Sequence, residues 1–95
     1  MTRPTSPVAA LRRRTVKSRE LVAERVLAIG TVMEAAAEAA GKGVCSLLVP
    51  LGPASLEGTP AAKTLAEHLA GAILEWEVQV DALRNEQWFL RITWR

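Results

Sequence analysis

The sequence predicts a small α+β domain of order α-β-α-β-β. A three-stranded mixed sheet carries two helices on one face and is preceded by a basic N-terminal arm. Three observations predict it. Residues 76–94 hold two alternating apolar–polar runs around a polar break; residues 18–40 repeat apolar side chains at helical spacing; and the first 19 residues carry Lys and Arg but no acid.

Residues 1–6 read as an exposed tail. Ser6-Pro7 is one helix start, because proline suits the first helical position and serine accepts from an unpaired backbone N–H. Ser18 is a second, with Glu20 in the first turn beyond it. The later start is expected in a free monomer, since Arg12, Arg13 and Arg14 repel one another and bury little. Residues 1–17 are therefore expected as an arm, flexible or ordered by a partner, and residues 18–95 as one folded domain.

From Ser18 to Ala40 the apolar residues Val22, Val26, Ile29, Met33, Ala36 and Ala40 recur every three or four positions, which predicts one amphipathic helix. Gly30 weakens it or allows close approach of the sheet. Gly41-Lys42-Gly43 ends it, because glycine tolerates the left-handed conformation at a helix C-terminus. Val44–Leu51 is then a strand, apolar on both faces, with Pro50 arguing for an edge or for the strand's end.

Gly52–Gly58 is a loop. Thr59-Pro60 repeats the cap-then-proline start, and Leu65, Leu69, Ala72, Ile73 and Trp76 predict a helix running to about Leu74. The closing hairpin places Trp88, Leu90, Ile92 and Trp94 on one face and Gln87, Arg91 and Thr93 on the other, about a break at Arg84-Asn85-Glu86. An isolated hairpin is marginal in water, so the helices must roof the tryptophan face. A strand–helix–strand crossover adds a parallel strand and the hairpin an antiparallel one, with the C-terminal strand central. The opposite face is left with Phe89, Leu48 and Val44 among polar residues.

Composition narrows the function classes. Of 95 residues, 49% are hydrophobic, which fits one globular core rather than disorder. No apolar run approaches the ~20 residues of a membrane helix, and neither a secretory signal nor an anchor is read. The lone Cys45 is expected as a small buried apolar residue in a reducing, cytoplasmic setting. The modest net charge of +2 conceals an asymmetry. Residues 1–19 hold six basic residues and no acid, while residues 20–95 hold six basic and ten acidic ones.

No stretch carries a catalytic or metal-binding signature, and no cofactor is expected. His68 has no second ligand at metal spacing and no paired nucleophile. A meeting of Cys45 with His68 is disfavoured because an apolar strand opposes a thiolate. Glu34 and Glu38 lack partners on another helix and read as a solvated face. The candidate partner-binding residues are Arg12, Arg13, Arg14, Lys17 and Arg19 of the arm, with Phe89 and Arg91 of the sheet. Clustered cations attract an acidic protein surface or nucleic-acid phosphates, although the arm has no aromatic residue for base stacking. Phe89 points away from the roofed face, so it is either covered by a helix or the arm, or is a partner anchor.

The order helix–strand–helix–strand–strand, the Gly-rich break after an Ala-rich helix and the closing Phe89–Trp94 run, FLRITW, resemble small accessory proteins encoded by bacteriophages. The likeness spans residues 20–94 and leaves out the basic leader. It implies binding rather than catalysis, in a virion component, a regulator or an inhibitor of a host system, and a place in the host cytoplasm or the virion. The expectation is a non-catalytic protein-interaction module that binds another protein or itself, as a homo-oligomer or in a larger assembly. Nucleic-acid binding through the arm is the alternative.

Overall fold

A computed structural model of the chain describes residues 6–95, so the expected tail at residues 1–5 lies outside the described residues. The element order is α1 (Pro7–Val26), α2 (Ile29–Gly41), β1 (Ser46–Gly52), α3 (Pro60–His68), β2 (Ile73–Val80) and β3 (Glu86–Thr93). The fold is α+β, with all three helices on one face of a three-stranded sheet.

The strand order is β1-β3-β2, with β3 central as expected. Both neighbours are antiparallel to it, so the sheet is antiparallel and not mixed. The reason is geometric. The crossover through α3 makes β1 and β2 run the same way, but β3 lies between them, and a mixed sheet would need them side by side. In the register, Leu47, Ile92 and Leu74 lie abreast, as do Val49, Leu90 and Trp76. These rows form the roofed face, where Leu90 and Ile92 are fully buried against Ala23, Leu27, Val32, Leu56, Ala62 and Leu65. Burying each large aliphatic side chain contributes about 1.5–3 kcal/mol.

The expected single helix over 18–40 is two. The chain turns at Leu27 and Ala28, where Ala28 is extended with φ −57° and ψ 128° and caps α2 with no side-chain bond. Neither residue is a helix breaker. The corner lets Leu27 and Val32 enter the same core from two helices, which one straight rod could not do. It also changes the helical phase, so Ala23, Leu27 and Val32 are the buried positions, while Met33 of the expected stripe is 46% exposed.

The helix begins at the earlier of the two starts. Ser6 Oγ accepts from the Ala9 N–H at 3.0 Å and Pro7 is the first helical residue. α2 ends as its glycines predict. Val44 N donates to the Ala39 carbonyl and Gly43 N to the Ala40 carbonyl, both at 3.0 Å, with Gly43 at φ +81°. This is a Schellman motif.

α3 starts as predicted. Thr59 Oγ1 accepts from Ala62 N at 3.3 Å and donates to the Leu56 carbonyl at 2.7 Å. It stops at His68 rather than near Leu74, because Gly71 takes φ +98° and residues from Ile73 onward pair with β3. The hairpin loop covers Asp81–Asn85, earlier than the expected break, because Asp81 organises it: Oδ1 accepts from Leu83 N at 2.8 Å and Asn85 N at 2.9 Å.

Candidate interaction surfaces

The first surface is the N-terminal half of α1. α1 has 20 residues and is therefore about 30 Å long. Its C-terminal half joins the core through Val22, Ala23 and Val26. Of residues 6–18 none is buried and only Ala9 is half-buried. Val8, Leu11 and Val16 are 55%, 64% and 51% exposed there. The radius of gyration is 16.2 Å, against about 12 Å for a compact chain of this length.

Arg12, Arg13, Arg14 and Lys17 all lie on this exposed half, and none has an ion-pair partner among the described residues. Arg19 differs. Its Nε donates to the Ser55 carbonyl at 2.9 Å and its Nη2 to the Glu57 carbonyl at 3.0 Å, so the guanidinium ties α1 to the loop before α3. The five candidate cations Arg12, Arg13, Arg14, Lys17 and Arg19 thus divide into four that face solvent and one held by the body.

The second surface is the open face of the sheet. Rows Leu48–Arg91–Glu75 and Pro50–Phe89–Glu77 cross it from β1 to β2. The helices pack on the opposite side, so neither a helix nor the described part of the arm covers Phe89, contrary to the intramolecular cover that sequence allowed. Phe89 is half-buried between its strand neighbours, and Leu48 is 38% exposed. Arg91 Nε donates to Glu77 Oε2 at 2.7 Å, a cross-strand ion pair that occupies the one cation the strands place on this face among the described residues. The outcome is an apolar strip of Leu48, Pro50 and Phe89 bordered by the half-exposed Arg91–Glu77 pair and by Glu75, which has no ion-pair partner among the described residues.

The other candidates do not converge. Cys45 is exposed, just ahead of β1, correcting the expected buried position; its carbonyl accepts from Trp94 N at 2.9 Å. His68 is exposed at the end of α3, with Nδ1 3.1 Å from the Thr64 carbonyl oxygen. A carbonyl only accepts, so this bond places the proton on Nδ1. Glu38 pairs with Lys42 at 3.5 Å across a solvated helical turn. Among the described residues, no three of His, Cys, Asp and Glu stand together as metal ligands. Nor, among them, is any helix long and apolar enough to cross a membrane.

Two open apolar grooves flank α2. One, of about 340 Å³, lies between α1, α2 and β1 and includes Val26, Ala35 and Leu48. The other, of about 240 Å³, includes Met33, Ala36, Leu69 and Trp94. Sequence reasoning missed both, because each is lined by residues that lie far apart in the chain.

None of the protein families, curated proteins or solved structures compared with this chain matches it.

Proposed function

We propose that this protein is a non-catalytic interaction module that docks an acidic protein surface through the exposed half of α1, with the open sheet face as a separate contact. One observation carries the reading: eleven residues of helix, 7–17, contribute no buried side chain. A helix segment that short is marginal in water by itself, and aliphatic residues interleaved with four cations gain little from solvent. A partner with an apolar strip and carboxylates would remove Val8, Leu11 and Val16 from water and pair the arginines at once.

A second copy is one such partner, since the body beyond residue 19 carries the excess of acids. Light scattering that returns only the 10.3 kDa monomer at high concentration would remove that version. The main test is partner capture from native source material by the full chain and by a chain with Arg12, Arg13, Arg14 and Lys17 replaced by Glu. Loss of the captured protein with the fold intact supports the reading; equal capture sinks it.

Exposure of the same four cations also favours a second reading, binding to nucleic-acid phosphates. It requires an affinity for duplex DNA or RNA that falls steeply as salt rises and disappears in the same variant. Binding that salt leaves unchanged would end it.

A further inference from the structure

The two edges of the sheet are not alike. Trp94 N donates to the Cys45 carbonyl, which makes Cys45/Trp94, Leu47/Ile92 and Val49/Leu90 the hydrogen-bonded pairs of the β1–β3 ladder. The backbone of Ser46, Leu48 and Pro50 therefore faces outward. Pro50 has no N–H to offer there, and a bulge follows where Leu51 stands as the extra residue between Pro50 and Gly52. β1 is thus a blunted edge.

β2 is the opposite case. Asp81 N donates to the Asn85 carbonyl at 3.1 Å, so the bonded pairs of the β2–β3 ladder are Ile73/Thr93, Glu75/Arg91, Glu77/Phe89 and Gln79/Gln87. The N–H and C=O groups of Leu74, Trp76, Val78 and Val80 all face outward. The strand has eight residues with no proline, no bulge and no Lys or Arg. Its outer end is bare, with Val78 43% and Val80 58% exposed. A strand of this kind is a template for a further strand.

Charge selects the occupant. On the open face β2 presents Glu75, which has no ion-pair partner among the described residues, and Glu77, whose solvent-exposed carboxylate is shared with Arg91. A second copy could add its own β2 antiparallel only in registers that oppose outward-facing residues. The two such registers with the fullest overlap set Glu75 against Glu77, or Glu77 against Glu77. Like charges directly opposed across strands are destabilising. A strand that alternates apolar residues with Lys or Arg meets no such opposition: its cations fall beside Glu75 and Glu77, and its apolar residues beside Trp76 and Val78.

We infer that the outer edge of β2 accepts an extended segment of a partner protein, alternating apolar with basic residues, as a fourth strand. This rests on the interaction-module reading and names a second contact, separate from α1.

The probe is a synthetic eight-residue peptide alternating lysine with valine, added to the full chain while amide exchange is followed by NMR. At about 1 mM peptide, exchange at Leu74, Trp76, Val78 and Val80 should slow by roughly tenfold or more. Val78→Pro removes one outward N–H without touching the β2–β3 ladder and should abolish the effect. Glu75→Lys should weaken it, and a peptide with glutamate in place of lysine should bind less. Unchanged exchange overturns the inference, as does equal binding by Val78→Pro or by the glutamate peptide. A free chain that is already dimeric with these amides protected overturns it in favour of a second copy. Because α1 is untouched in every arm, failure here leaves partner capture through α1 separately testable.

Discussion

Arg19 in the middle of α1 holds the Ser55 carbonyl at 2.9 Å from 36 positions away in the chain, and the same guanidinium reaches Glu57. This clamp sets where the anchored half of α1 ends and the exposed half begins. Hydrogen bonds from a charged donor contribute about 1.5–3 kcal/mol, and here one carbonyl is part-buried and the other exposed. Arg19→Ala should lower unfolding stability by roughly 1–2 kcal/mol in urea titration, because partial exposure reduces that figure. It should also speed amide exchange across residues 53–58, whereas Arg12→Ala should do neither.

Leu90 is fully buried at the centre of the sheet, and Leu48 lies one register row away on the open face. Leu90→Ala should destabilise by about 2–5 kcal/mol, a large part of what a domain this size has. Leu48→Ala should stay within about 0.5 kcal/mol. Equal losses on chemical denaturation would mean that the open face is covered.

The corner between α1 and α2 is under-optimised. A Cβ added at Gly30 meets no atom within 4 Å, so close approach of the sheet is not why glycine stands there. Gly30→Ala should raise stability by about 0.4–1 kcal/mol by restricting the unfolded chain. Ala28→Asp should add about 1 kcal/mol by capping an N-terminus that has no side-chain cap. Both should appear as higher melting temperatures.

Asp81 links the hairpin to pH. Hydrogen bonds from the Asn85 backbone N–H, then from its side chain and from the Leu83 N–H, hold the Asp81 carboxyl below the usual carboxylate range. The native pKa is thus lower than the unfolded one. Its contribution is present above the unfolded value and is lost as pH falls through the native value. Acidification through that window should lower the protection factors of the Leu83 and Asn85 amides, measured against their intrinsic exchange rates, and Asp81→Ala should leave both amides unprotected with no dependence on this titration.

Periodicity and capping chemistry made most of the elements legible. Thr59-Pro60 starts a helix where expected, α1 starts at Ser6-Pro7 rather than at the expected Ser18, Gly43 ends a helix, and β3 is the central strand with its Leu90 and Ile92 side roofed. The α3–β2 boundary was harder, because Leu69, Ala72, Ile73 and Trp76 satisfy helical spacing while Ile73–Val80 also satisfies alternation. Pairing with β3 decided it. Of the candidate partner-binding residues, sequence placed Arg12, Arg13, Arg14 and Lys17 on a projecting segment, but could not separate from them Arg19 and Arg91, whose partners Ser55, Glu57 and Glu77 lie far along the chain.

Sequence by itself determined the element types, the basic N-terminal end and the apolar face of the hairpin, since these depend on neighbours a few residues apart. Only the tertiary structure decided the corner at Leu27–Ala28, the antiparallel arrangement of the sheet and the contrast between its two edges. Those depend on which distant groups meet. A helix turns where two buried side chains need one core, and a backbone N–H is free or paired only once the strand beside it is known.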